Sequence, residues 1–343
     1  MPIHLRRTDE NLSDIDALAD GHAAKVGLDH VLEHLNRQAH RVRAPGSVVG
    51  EGIAWNDTDA HTTRWMPQGI TTSADACGHD EGRRLLVTSW YSKGVEDANQ
   101  GSRITVMDLD TLAYRHVLLV VPTRNWRGKV GFKPLLAHAG GLVWCGPYLH
   151  VAGTRRGLFS CHLDDVLQIP ASDHRASDDA FGYRYVLPVR FGYDSQADEG
   201  TERMRYSFLS LDRGADPPEL VAGEYGSGDM TRRLVRYPLD PVTQHLAAHE
   251  DGSSRPVWLD ERGPGHMQGA AVVDGTYYVT TSSGSRTRGS LHIGEPGHWR
   301  TLRRVLPIGP EDITYWPSTD TFWSLSEHPG HRYVFSVPRR PLI

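Results

Sequence analysis

Lysine, cysteine, long apolar runs and sustained helical periodicity are all scarce in this chain, and each scarcity excludes something. Four lysines, Lys25, Lys93, Lys129 and Lys133, stand beside thirty-three arginines in 343 residues, and basic residues cluster no further than pairs such as Arg83-Arg84, Arg155-Arg156, Arg232-Arg233 and Arg339-Arg340. With a net charge of −5, such a pattern disfavours nucleic acid as the main partner. The arginine bias fits a GC-rich genome better than a phosphate site and carries no functional weight. The three cysteines, Cys77, Cys145 and Cys161, form no C-x-x-C. Their odd number points to reduced core thiols rather than a disulfide framework or a zinc site, with a Cys145–Cys161 bridge as the alternative. No apolar run approaches about 18 residues, and Met1 to Arg7 is basic without an apolar stretch behind it; a membrane span and an export leader are both unreadable, and the expected compartment is cytoplasmic.

What is present is a turn-rich globular composition: 38% apolar residues, 23% charged, 35 glycines and 21 prolines. Helical spacing is confined to Asn11–Arg41, where Leu12, Ile15, Leu18, Val26, Val31, Leu32 and Leu35 recur three and four apart. Ser13 or Asp14 is the expected cap, and Gly21 and Gly27 should divide the stretch into short helices. Beyond Pro45 the chain reads as short β-type runs separated by Gly, Pro, Asp and Ser. The division is therefore a helical segment over 1–45 and an all-β domain over 46–343.

Repeats specify which all-β architecture this is. Four units open on a polar residue and one or two small ones, continue into an apolar run, turn, and return as a strand rich in aromatic and β-branched residues. They begin at Gln68-Gly69-Ile70, His138-Ala139-Gly140-Gly141, Gln268-Gly269-Ala270 and Glu311-Asp312-Ile313, and a degenerate copy spans Tyr206 to Leu211. Third strands follow in every unit, and fourth strands in several, including Tyr114–Val121 and Tyr183–Val189. About five four-stranded antiparallel units in series predict a five-bladed β-propeller, or a six-bladed one if 163–206 hides a further unit. The last unit runs out of chain after three strands, so the run Val48–Trp55 is expected to supply its fourth strand and close the ring.

The wording Trp65-Met66-Pro67-Gln68-Gly69-Ile70-Thr71, His138-Ala139-Gly140-Gly141-Leu142-Val143-Trp144, Leu211-Asp212-Arg213 with Leu220 to Tyr225, and Met267-Gln268-Gly269 resembles a group of actinobacterial β-propeller proteins usually labelled secreted or uncharacterised. The resemblance covers roughly residues 60 to 340. It implies the propeller fold and brings no chemistry with it.

Nucleophile-elbow, H-E-x-x-H, P-loop, complete dinucleotide and EF-hand signatures are lacking. His328-Pro329-Gly330-His331 offers two imidazoles on a tight turn, an incomplete metal site better read as a solvated loop. Position within the repeat is more informative. The innermost strand of each blade lines the channel, so its first residues converge on one mouth. Those residues are Gln68, His138, Tyr206 or Ser207, Gln268 and Glu311. His138, Glu311 and Asp312 are the candidate acid–base groups. Gln68, Tyr206, Gln268, Trp90, Arg155 and Glu224 are candidate ligand contacts, with Tyr91, Tyr225 and Glu327 among further walls. No metal or organic cofactor is called for, although a divalent cation in the channel fits too. The function expected is acid–base processing of a small organic molecule, of cyclase, isomerase, lyase or hydrolase type. The alternative is a ligand-binding or scaffolding propeller whose polar ring merely closes the channel.

Overall fold

The computed structural model describes residues 1–77, 82–94 and 99–342, with His22 and Cys77 described by their backbone only. Strands assemble into five sheets of six, nine, four, four and five strands, antiparallel but for one pairing. Each sheet has an innermost strand: β1 (Trp65–Thr72), β2 (Leu142–Cys145), β3 (Phe208–Asp212), β4 (Met267–Val273) and β5 (Pro310–Trp316). Each touches the next, and β5 touches β1, so the five inner strands close a ring in a β-propeller arrangement. No helix among the described residues is long and apolar enough to cross a membrane.

The strands run outward because their residues alternate or are apolar on both faces. Leu85–Ser92 is buried almost throughout between its neighbours, whereas Phe191–Ala197 alternates buried Phe191, Tyr193 and Ser195 with more open positions. Core residues fill the gaps between sheets: Trp55, Trp90, Trp316 and Trp323 join the last sheet to the first, and Ile3, Tyr206, Tyr237 and Leu239 join the second to the third. Near the axis the inner strands come too close for side chains. A Cβ on Gly141 would run into the backbone of Phe208 and Leu209, and one on Gly269 would meet Asp312 and Ile313, so glycine is required for the ring to close at this level.

Ring closure has the expected form. Gly52–Ala54 pairs antiparallel with Tyr333–Phe335 of the outermost strand begun in the last unit, and His40–Val42 adds a further strand beyond it. Three expectations need correction. Residues 1–45 are not a helical prefix. Helices Leu12–His22 and Gly27–Glu33 are present, but Ile3–Arg7, Ala24–Lys25, Arg37–Gln38 and His40–Val42 are strands threaded into three sheets. Ile3 and Leu5 alternate with His4 and enter the core, a period of two too short to outweigh the longer helical spacing behind it. The first helix is also capped otherwise: Asn11 occupies the N-cap and its amide donates to the Val189 carbonyl.

Second, Tyr183–Val189 is not the fourth strand of the second unit. Its strand, Tyr185–Pro188, runs parallel to Leu118–Val120 of the first sheet, and Phe191–Ala197 takes the fourth place. Tyr185, Val186 and Leu187 are all buried, which suits a strand covered on both faces. Third, 163–206 forms no sheet of its own; its strands add to the first two, beside a short helix His174–Asp179. Cys145 and Cys161 are buried and unbridged, and the side chain of Cys77 lies outside the described residues.

Candidate active site

Three inner strands carry a β-bulge at the same level. Register shifts fall between Pro67 and Ile70 in β1, Met267 and Gly269 in β4, and Pro310 and Ile313 in β5. The residues left without a direct partner are Gln68, Gly69, Gln268, Glu311 and Asp312, where the sequence places a polar residue beside a small or acidic one. A bulge turns a side chain out of the ladder and aims it elsewhere. Here the side chains of Gln68, Gln268 and Glu311 are brought to the rim of the ring and hydrogen-bonded there: Gln268 Nε2 donates to Glu311 Oε1 at 3.0 Å, and Gln68 Nε2 donates to the Pro67 carbonyl at 2.8 Å and to Glu327 Oε2 at 3.2 Å.

Glu311 is buried, and its carboxyl accepts only the neutral amide of Gln268 among the described residues. Burial, with the neighbouring charges of Glu327 and Asp312, holds its carboxyl well above the usual range, so it keeps a proton where an ordinary glutamate has lost it. Tyr91 neighbours both glutamates and the imidazole. Burial and the charges of Glu327 and Glu311 push its phenol up to about 12, while its ring stacks on His138 at 4.2 Å. His138 sits in the approach to β2, after which Ala139 takes a left-handed turn at φ 53°. Its side chain is exposed at the mouth. Partial burial and the nearby Lys93 charge both lower its pKa, which keeps the imidazole neutral and able to accept a proton.

Asp312 has a different part from the catalytic one expected of it. Its carboxylate is fully buried in the ring and accepts the N–H groups of Ile70 at 3.3 Å, Leu142 at 3.2 Å and its own neighbour Ile313 at 3.0 Å. Burial pushes its carboxyl up and these N–H groups oppose that. Through the first two of these bonds the side chain ties β1 and β2 to β5. Farther along the inner strands Asp75 links β1 to β5, accepting from Thr71 and Thr314 hydroxyls at 2.8 Å each and pairing with Arg213 at 2.7 Å.

Four expected contacts do not reach the mouth as free groups. Tyr206 is fully buried, its hydroxyl 2.6 Å from that of Tyr237; Ser207, half-buried beside it, accepts from the Tyr225 N–H. Trp90 is core, with its indole N–H on Thr88. Glu224 is a buried clamp, taking both Nε and Nη2 of Arg233 at 3.0 and 2.8 Å. Arg155 is exposed on the turn between the second and third strands of its sheet and has no side-chain partner among the described residues. The polar position of each was readable; the partner that consumes it was not. Glu327 rises from wall to neighbour of Glu311. Among the described residues, His30, Glu33 and His34 could together hold a metal ion. Their H-x-x-E-H spacing was overlooked in the sequence, and they lie on the exposed side of the N-terminal segment rather than on an inner strand.

Fold and site together define a β-propeller with a buried glutamate, a second glutamate, two glutamines, a tyrosine and a histidine gathered towards one mouth of its ring. No protein family and no curated protein matches the chain. Among solved structures, glutaminyl cyclase of Myxococcus xanthus is 13% identical over 88% of this chain and 96% of that one, with a TM-score of 0.41. The β-propeller domain of Cps50 (Swd1) from Myceliophteria thermophila is 12% identical over 88% and 99%, at 0.37. A gluconolactonase of Xanthomonas campestris is 13% identical over 87% and 90%, at 0.38. At these values no activity transfers, and the strand topology above carries the fold assignment.

Proposed function

We propose that this chain is a five-bladed propeller, related to the actinobacterial group it resembles, that processes a small organic molecule by acid–base chemistry at the channel mouth, inside the cell and without an organic cofactor. One observation carries the reading: the mouth pairs a carboxyl held protonated with an imidazole held neutral, and a single aromatic ring, Tyr91, relates the two. Oppositely displaced pKa values assign an acid and a base. Glu311 donates a proton to a carbonyl, leaving oxygen or leaving nitrogen of the substrate. His138 accepts one from its O–H, N–H or C–H. Gln68 and Gln268 present amides that orient a polar substrate, and Glu327 restrains Gln68 while disfavouring ionisation of Glu311. The reaction class is that of a cyclase, isomerase, lyase or hydrolase.

A non-catalytic ligand-binding or scaffolding propeller is the second reading, favoured by the Asp312 and Asp75 contacts, which tie the inner strands to one another without a ligand. The test is a thermal-shift screen of the full chain against a library of polar metabolites, with His138→Ala and Glu311→Gln beside the wild type. Hits that stabilise the wild type are then followed by NMR for conversion. Turnover that both variants lose supports the enzyme; binding that both lose, without conversion of any hit, supports the binding propeller. Hits that bind and convert equally in all three proteins sink both readings.

A further inference from the structure

The first sheet and the N-terminal segment form an open cleft of about 450 Å³ lined by Arg37, Arg64, Arg103, Arg115 and Arg184 and by a single carboxylate, Asp59. That carboxylate is already shared. Its Oδ1 accepts from Arg103 at 3.1 Å, and its Oδ2 from Arg37 at 3.2 Å, Tyr114 at 2.7 Å and His116 at 3.0 Å. Three arginines of the lining have no carboxylate at all among the described residues. Arg115 reaches the His34 carbonyl and lies over the Tyr185 ring at 4.7 Å. Arg184 faces the Gln168 amide, whose oxygen, in the orientation that satisfies both groups, accepts from its Nε at 3.0 Å and from its Nη2. Arg64 has no side-chain partner among the described residues. Arg103, nearly fully buried between the rings of Trp65 and Trp90 at 4.4 and 4.8 Å, leaves its Nε unbonded.

Guanidinium groups gathered in a concave, partly dry site repel one another, and a fold bears that cost where an anion is to be received. The repulsion is visible in Arg115, whose pKa is lowered by burial and by the charges of Arg184 and Arg37. His116 does not add a charge: burial and the Arg103 charge depress it to about 3, so it stays a neutral donor to Asp59. The cavity is also larger than a bare oxyanion needs and lies in the range of organic ligands. Trp65, Phe181 and Tyr183 line it as well. Phe181 holds a φ of 52°, a conformation that bulky residues rarely adopt, and is 38% exposed despite its apolar ring.

We propose that this cavity is a second ligand site, for a small organic molecule bearing a multivalent oxyanion, with Arg64, Arg115 and Arg184 gripping the anion and Trp65, Phe181 and Tyr183 walling its organic part. Guanidinium forks suit phosphate and carboxylate alike, so the anion is a phosphomonoester or a polycarboxylate. The site is separate from the channel mouth and does not depend on the reading of that mouth.

Isothermal titration of the full chain with phenyl phosphate, citrate and orthophosphate, at low salt and in 0.5 M NaCl, tests the proposal. Wild type is compared with Arg64→Gln/Arg184→Gln, one replacement at a half-buried and one at an exposed position, neither in an ion pair among the described residues, whose unliganded melting temperature should stay within about two degrees of wild type. Phenyl phosphate or citrate should bind saturably at one site, more tightly than orthophosphate, and lose about tenfold or more in the variant and in salt. Whichever of the two binds identifies the anion. Absence of saturable binding by all three, equal binding by variant and wild type, or orthophosphate binding as tightly as the organic anions would each overturn the proposal.

Discussion

Glu311 and His138 make opposite demands on pH, and the direction of each shift fixes the shape of the profile. The imidazole must be neutral to accept a proton, and its folded pKa lies below the ordinary histidine value, so activity rises as pH climbs through that lowered value. The carboxyl must be protonated to donate, and its folded pKa lies well above the ordinary glutamate value, so activity falls as pH passes through it. A bell follows in kcat/KM. Glu311→Gln should remove the alkaline limb and His138→Ala the acidic one, each lowering the rate about 10²- to 10⁴-fold. A profile that keeps both limbs in both variants would assign the acid and base elsewhere. At this scale the sequence was informative about Gln68, His138, Gln268 and Glu311, because position in a repeat is a one-dimensional property. It was uninformative about Asp312, Tyr206 and Glu224, whose partners lie on other sheets. It missed Asp59 altogether: nothing within Asn56-Asp57-Thr58-Asp59 distinguishes the carboxylate that meets Arg37, Arg103, Tyr114 and His116 from the exposed one two residues earlier.

Helix Asp57–His61 and strand Ala113–Arg124 are joined through that same Asp59, which makes the junction sensitive to acid. Burial by itself would raise the Asp59 carboxyl, but hydrogen bonds from His116 and Tyr114 and the charge of Arg103 hold it well below the usual range. A depressed folded pKa means stability that is present above the unfolded value near 3.8 and lost as pH falls below it. His116 acts in the same direction and earlier. It is buried, and its folded pKa of about 3 against 6.5 unfolded lets the unfolded chain take up the proton first, so stability declines as pH drops from about 6.5. His150, buried and also depressed to about 3, contributes a like slope. The measurement is therefore a difference: denaturant midpoints from pH 7.5 to 4 should fall less steeply for His116→Gln than for wild type, and parallel curves would remove His116 from the account. Asp59→Ala, which strands Arg103 in the interior, should cost about 3–5 kcal/mol at pH 7. Inner-strand elements carry a second test. Gly141→Ala places a methyl against the backbone of Phe208 and Leu209 and should cost about 1–3 kcal/mol by overpacking, whereas Gly200→Ala on an open turn meets no neighbour and should be limited to the strain of its positive φ.

Over the whole molecule, the repeats gave the radial plan and the closing strand, while the contribution of the first 45 residues was hidden. Strands of two to five residues, such as Arg37–Gln38 and Ile3–Arg7, are too short for alternation to declare them, and what recruits them is an unpaired edge on a sheet encoded far away. The same fact decides how the fold depends on its start. Gly52–Ala54 supplies the strand beside Tyr333–Phe335, His40–Val42 covers that strand in turn, and Ile3–Arg7 pairs with Phe191–Ala197 on one side and Ser253–Ser254 on the other. The first 57 residues therefore bind the first, second and last sheets of one ring. Removing them uncovers Trp55's partners Trp90 and Tyr114 and opens the ring where its two ends meet. A chain beginning at residue 58 should lose its cooperative thermal transition and bind a hydrophobic dye at 25 °C, whereas removal of Met1 and Pro2 alone, ahead of the first strand, should leave a single sharp transition. If the longer deletion melts as sharply and as late as the full chain, closure by the early strand is ornamental and the inner ring of β1 to β5 holds by itself.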